Sequence, residues 1–240
     1  MNTKPFLSVI VPVFNEFKRI HNLITISNYL KNSHFVSELI VINDGSTDKT
    51  LDKLKDFKKK MKLKIISYKK NKGKGYAIRQ GVLKAKGQFI LFCDVDLSTP
   101  IQELDKFIPF TKSSDVIIAT RKVKESQLIT RQSFIRENLG KAFTLLSNLI
   151  LNANISDFTC GFKLFSQKSA KEIFSRLTIN RWGFDSELLF ISKKRGFKIK
   201  EIGVSWHNNS LSKVKFPEDI FISLLELLKV RINDLKGIYD

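Results

Sequence analysis

The sequence predicts an α/β protein built on a mostly parallel central sheet flanked by helices. Three observations predict it: short, wholly apolar runs recur along the first half; an amphipathic stretch of helical length follows each; and the runs end in "NE", "NDGSTD", "NKGKG" and "DVD". Apolar runs without alternation suit strands buried on both faces, and strand–helix alternation at this spacing makes a parallel sheet through crossover connections. Ligands in such sheets bind beyond the carboxyl ends of the strands, so four polar clusters at that edge mark one site.

The elements follow in order. "LSVIVPVF" is the first strand, with a helix near 16–31; "ELIVIND" leads to a helix near 47–60, and "LKIISY" to one near 74–86. "FILFCDVD" is followed by a helix at about 100–111 and then by "DVIIAT". The second half is less regular. A long helix at about 131–152 leads into "DFTCGFKLF", a short helix, "RWGFDSELLFISKKRGF", a β-like "KIKEIGVSW" and a closing amphipathic helix at about 217–236. No repeat, low-complexity tract or linker interrupts the chain, which implies one continuous domain over 1–240, divided at about residues 120 and 215.

Composition narrows the partners. A chain of 240 residues with a formal charge of +19 and a pI near 9.9 suits an anionic partner, whether nucleic acid, acidic lipid or phosphate-bearing substrate. Aromatics interleaved with basic residues, which nucleic-acid stacking requires, are missing, so no nucleic acid is expected. Cys93 and Cys160 form neither a disulfide framework nor a metal spacing and read as buried thiols. No apolar run is long enough to span a bilayer, and "MNTKPFLSVIVPVFNE" lacks a signal-peptide layout, which implies a cytoplasmic protein.

The most informative stretch is "FILFCDVDLSTP", residues 89–100, an apolar strand that runs into Asp94 and Asp96. Side chains two apart in an extended chain share a side. Both carboxylates would then face one small volume and repel unless a divalent metal or a cluster of basic side chains supplies positive charge. Solvated turn carboxylates are the plain alternative. In "VINDGSTDKT", Asp44 and Gly45 make a turn, Ser46 or Thr47 caps the next helix and Asp48 suits its first turn. That leaves Asp44 over, placed to accept from a base N–H or a ribose hydroxyl. In "NKGKGYAIRQG", Gly73 and Gly75 let backbone approach a ligand while Lys72, Lys74 and Arg79 bring positive charge. The spacing is neither a Walker loop nor Gly-x-Gly-x-x-Gly, which argues against P-loop and dinucleotide folds.

Taken in order, "VIVPVFNE", "VINDGSTD" and "NKGKGYAIRQGVLKAKGQFILFCDVDLSTP" resemble the nucleotide-sugar-binding half of an inverting GT-A glycosyltransferase of family 2. "DFTCGFKLF", "RWGFDSELLFISKKRGFKIKEIGVSWHN" and "SLSKV" resemble the group that transfers glucose from UDP-glucose to a dolichyl-type polyprenyl phosphate. The resemblance implies that Pro12, Phe14, Asn15, Glu16, Asp44, Gly45, Lys72 and Gly73 surround the nucleotide. Asp94 and Asp96 would form the Asp-x-Asp pair, with Asp96 holding Mg²⁺ or Mn²⁺ and, through it, the diphosphate. It further implies that Arg121, on the donor side, and Arg131 and Arg136, on the long helix, clamp phosphates. A helix-surface ion pair is the alternative for Arg136. Ser212 and Lys213 would receive the acceptor phosphate. Asp185 matches the position usually assigned as base, and Asp157 is its rival.

The closing helix begins with Pro217, Glu218 and Asp219 and sets Ile220, Leu224, Leu228, Ile232 and Leu235 on one face. That face packs on the core or a second subunit, or else lies with Phe216 and Phe221 in the interface of an anionic bilayer. There each nearby lysine adds about 1 kcal/mol. The first choice is therefore a glucosyltransferase peripheral on the inner membrane face. A mannosyl- or other hexosyltransferase using GDP-mannose or another UDP-sugar, and a non-catalytic nucleotide-sugar or nucleic-acid-binding protein, are the alternatives.

Overall fold

Four apolar runs pair side by side as parallel strands in the computed structural model, which describes residues 4–130, 134–208 and 218–240, with backbone alone for 134–136 and 220. These are β1 (Leu7–Val13), β2 (Ser37–Asp44), β3 (Lys64–Tyr68) and β4 (Phe89–Cys93). Between them run α1 (Asn22–Asn32), α2 (Thr50–Lys60) and α3 (Lys74–Lys84). The chain continues through β5 (Val116–Thr120), β6 (Gln127–Thr130), α4 (Phe134–Leu151), β7 (Phe162–Ser166), α5 (Gln167–Arg176), α6 (Phe184–Lys194), β8 (Ile199–Gly203), β9 (Ser205–His207) and α7 (Glu218–Leu235). Seven strands make one sheet in the order β3-β2-β1-β4-β7-β5-β8, so strands from both halves of the chain share it.

Alternation along the strands fills two cores. Ile10, Ile40, Ile42 and Phe92 face α3, α5, α6 and α7, while Val9, Val11, Val41 and Leu91 face α1 and α2. Pro12 is tolerated in a central strand because β4 pairs with β1 only from Leu7 to Ile10. Cys93 and Cys160 are buried and free.

Two expectations need correction, and a third, the β-like segment, holds with added detail. The helix expected at 100–111 is two 3₁₀ segments, Ile101–Lys106 and Ile108–Phe110, because Pro109 has no N–H to continue an α-helix. The first helix begins at Asn22, not near residue 16, since residues 16–20 close as turns on the Glu16 carbonyl. The "KIKEIGVSW" segment is two strands: β8 extends the main sheet and β9 pairs with β6 in a separate two-stranded sheet.

β7 runs antiparallel to both β4 and β5, with Cys93 opposite Phe162. Its amino end therefore lies where its neighbours have their carboxyl ends, which brings the 157–161 loop to the site edge. Residues at the end of α7 and after it tie down α6 and the segment before it. Buried Tyr239 donates its hydroxyl to Glu187 Oε1, Asn233 donates to Tyr239 and Thr178, and Glu187 also accepts from the backbone of Thr178 and Ile179. The next residue, Asn180, receives the Tyr76 N–H at the start of α3.

Candidate active site

The polar clusters meet at the carboxyl edge, stitched by the residues singled out in the sequence. Asn15, with φ at 51°, accepts the Thr47 N–H at 2.8 Å, and its own N–H donates to Ser46 Oγ at 3.0 Å. Ser46 and Thr47 thus serve the β1 loop instead of capping α2. Asp48 Oδ1 takes that part, accepting the Thr50 N–H. Glu16 holds Arg19 through both carboxylate oxygens at 2.6 Å.

Asp44 is almost fully buried and not left over. Its oxygens accept the backbone N–H groups of Lys72 (2.8 Å) and Gly73 (2.9 Å) and the Asn71 amide (2.8 Å). It shapes the loop entering α3, and burial raises its carboxyl pKa despite those donors. Gly73 sits at φ 103° with its α-carbon against Asn180, where a Cβ would lie 2.4 Å from the carbonyl oxygen. Gly45, at φ 67°, likewise touches the backbone at Lys70 and Asn71. The Lys72 ammonium lies 4.5 Å over the Tyr76 ring, and Phe14 is half-buried beside this loop system.

β4 ends at Cys93, so Asp94 and Asp96 stand in a turn closed by Leu97 N–H to the Asp94 carbonyl, not on an extended strand. Positive charge is nonetheless supplied. Lys74 Nζ lies 2.7 Å from Asp94 Oδ1 and 2.9 Å from Oδ2, and Arg19 Nη1 lies 3.7 Å from Asp96 Oδ2. Asp94 also rests on Gly161, where a Cβ would fall 2.0 Å from Oδ2. Asp96 accepts from Ser98 N–H through Oδ1. Burial, then the like charge of Asp94, raise its pKa above the usual carboxylate range.

The two candidate bases are held differently. Asp157, fully buried, is locked to Arg121 by Nε (2.7 Å), Nη2 (2.8 Å) and the backbone N–H (3.1 Å). Burial would raise its pKa, but the guanidinium overrides burial and holds the carboxyl well below its usual range. That makes Asp157 a weak base. Arg121, expected on the donor side, is held here by Asp157 through Nε and Nη2, and its charge lies 5.3 Å from the Trp206 ring. Asp185 opens α6, and its Oδ1 accepts from buried Lys163. Burial raises the Asp185 pKa, opposed most strongly by Lys163 and then by Lys74. Arg131, Ser212, Lys213, Phe216 and Pro217 lie outside the described residues, and Arg136 is placed only as backbone in the first turn of α4.

Sequence reasoning missed Arg19, Gly161 and Lys163 and did not pair Lys74 with Asp94. A lysine inside an apolar run, "GFKLF", was the one visible signal.

A central sheet with one reversed strand, polar loops gathered at its carboxyl edge and an Asp-x-Asp turn mark the GT-A class of glycosyltransferases. The chain belongs to glycosyltransferase family 2, whose model, "Glycosyl transferase family 2", matches residues 8–174. It is 34% identical to the dolichyl-phosphate beta-glucosyltransferase of Homo sapiens, over 96% of this chain and 76% of that one. For the enzyme of that name from Saccharomyces cerevisiae the identity is 33%, over 98% and 76%. The fold superposes on glucosyl-3-phosphoglycerate synthase from Mycobacterium tuberculosis, solved with Mn²⁺, UDP and glucosyl-3-phosphoglycerate. There the TM-score is 0.69 and the identity 17%, over 95% of this chain and 79% of that one.

Proposed function

We propose that this glycosyltransferase moves glucose from UDP-glucose to a polyprenyl phosphate of the dolichyl type, with inversion, at a membrane surface. The observation that carries the reading is the extent of the likeness. The family model ends at residue 174, whereas the curated glucosyltransferases align over 96–98% of the chain and so include its acceptor-facing second half.

A divalent cation fits the carboxylate turn. Asp96 and Asp94 crowd each other in a half-buried turn, and among the described residues no group of three or more His, Cys, Asp or Glu stands ready to complete a shell. That suits Mg²⁺ or Mn²⁺ held mainly by Asp96, with substrate phosphates as the other ligands. Bound there, the ion would stabilise the charge gathering on the leaving diphosphate. The chain's own groups do the rest. The Asp44-ordered loop and Asn15 frame the nucleotide, Lys74 and Arg19 bring positive charge to the two aspartates and orient them, and Asp185 stands on the acceptor side. The acceptor phosphate oxygen attacks the anomeric carbon as the bond to UDP breaks. A phosphate monoester is largely dianionic at neutral pH, so little proton removal is needed, and Asp185 takes the proton of the monoanion.

Membrane access is read from α7 and α4. Leu227 and Val230 of α7 point into the core, whereas Leu228 and Ile232 are 51% exposed and Leu235 is 82% exposed. The face for which the core, a second subunit and a bilayer interface were the alternatives is thus largely open, apart from half-buried Leu224, and α4, lying against α7, adds exposed Leu145 and Leu149. No described helix is long and apolar enough to cross a membrane. This apolar surface with the chain's net positive charge suits an anionic interface.

The test is transfer from labelled UDP-glucose to a short polyprenyl phosphate in detergent, with calorimetric titration of UDP and GDP. Transfer and tighter UDP binding are expected. Tighter GDP binding would replace the glucosyl assignment with the mannosyl one. Lys213→Ala should lose lipid-phosphate transfer while UDP affinity holds, and unchanged acceptor kinetics would refute its role.

A further inference from the structure

Lys163 is fully buried and has no part in the chemistry described so far. It lies on β7 opposite Phe92 of β4 and Ile118 of β5, both core residues. An ammonium is costly to bury unless its charge is paired and each N–H finds an acceptor. Here each does: Nζ donates to the Phe158 carbonyl at 2.9 Å, the Cys160 carbonyl at 2.8 Å and Asp185 Oδ1 at 2.5 Å. Three donors are all a lysine has, so the group is saturated.

Packing alone does not ask for this arrangement, since an apolar side chain of similar volume commonly replaces a buried ion pair without loss. The placement of the three acceptors is more telling. Two belong to the loop that carries Asp157 and supports Asp94 at Gly161, and the third is the carboxylate that opens α6. Among the described residues no hydrogen bond reaches Asp185 Oδ2. The side chain keeps 7% exposure, and Lys74 and Asp94 of the carboxylate turn act on it electrostatically.

We propose that Lys163 is a positioning residue for Asp185: it holds Oδ1 from within the core, supplies the counter-charge, and leaves Oδ2 as the oxygen that meets the acceptor. The same ammonium ties the Asp157–Gly161 loop to α6, so the floor under Asp94 and the acceptor-side carboxylate keep one fixed spacing. The inference rests on the transfer reading above.

The test compares kcat, donor KM and UDP affinity in Lys163→Gln, Asp185→Asn and the Lys163→Gln/Asp185→Asn double variant. A glutamine amide still donates to the Phe158 and Cys160 carbonyls but brings no charge to Asp185. Lys163→Gln should therefore fold and bind UDP normally, with donor KM within about 3-fold and kcat down about 100-fold, the scale of a lost acid–base or orienting group. The double variant, with both charges gone, should turn over no more slowly than Asp185→Asn alone. Lys163→Gln with kcat within about 3-fold of wild type would overturn the proposal. So would a double variant clearly slower than Asp185→Asn, an arm that holds even if Lys163→Gln does not fold. Wild-type protein that turns over no UDP-glucose would refute the transfer reading and this inference with it, so the two failures are told apart.

Discussion

Replacing Arg121 by methionine removes the cation that grips a carboxylate with no exposure to solvent. Of the three side-chain bonds lost, the two to Asp157, at 2.7 and 2.8 Å, are made to a charged partner, each contributing about 1.5–3 kcal/mol. Together they come to about 3–6 kcal/mol, which agrees with the roughly 3–5 kcal/mol found when one partner of a buried pair is removed. Against a total stability of about 5–15 kcal/mol this is a large share. Urea unfolding at pH 7 should show a midpoint lower by about 1 M or more, with m near 3 kcal/mol/M for a chain of this size. The sign with pH is fixed as well. Asp157 has a depressed folded pKa, so its contribution is complete above the unfolded value near 4 and fades as pH falls towards the folded one. In Arg121→Met the unpaired buried carboxyl takes up its proton at higher pH, so the gap to wild type narrows on acidification. Asp157→Asn added to Arg121→Met should recover part of the loss. A cost under about 1 kcal/mol at pH 7, or a gap that widens in acid, would refute the argument that this pair is a buried, mutually dependent unit.

Asp96→Ala should abolish transfer in saturating Mn²⁺, with the main effect on kcat, and full turnover of this variant in excess chelator would contradict the role given to Asp96. Gly161→Ala should displace the Asp94 carboxylate and lower kcat by about 10-fold or more, because its Cβ would sit 2.0 Å from Oδ2. Unchanged kinetics would mean that Asp94 has room to move. Exchanging Leu228, Ile232 and Leu235 together for glutamine should leave thermal stability nearly unaltered and weaken co-sedimentation with anionic vesicles, and undiminished vesicle binding would show that this face is not the contact.

The strands and helices of the first half were legible because apolar runs and amphipathic stretches announce themselves locally. The reversal of β7 was not, since "FKLF" reads as a strand in either direction and its orientation is settled by pairing with β4 and β5. The β6–β9 pair was equally hidden, being made by residues about eighty apart. At the site, the carboxylates could be picked out by type and position, but their partners depended on register. Lys74 meets Asp94 across twenty residues, and Arg121 meets Asp157 across thirty-six. Asp44 was visible and its burden misjudged: backbone donors have no signature in side-chain chemistry, so the loop it organises was seen only in three dimensions. On α7 the apolar face was legible as apolar, but its neighbour stayed open between the core, a second subunit and a bilayer, because a helix with two apolar stripes does not say which one the core takes.

The bonds made by Tyr239 turn the last residues of the chain into a keystone for its first ligand loop. Glu187, seated by Tyr239, holds Thr178 and Ile179, and the adjoining Asn180 carbonyl is the surface on which Gly73 and the start of α3 rest. Replacing Tyr239 by phenylalanine would therefore act at the far end of this linkage and appear first as slackened grip on the nucleotide, before any loss of helix content. A hydroxyl that touches no substrate would thus set how firmly the donor loop is seated.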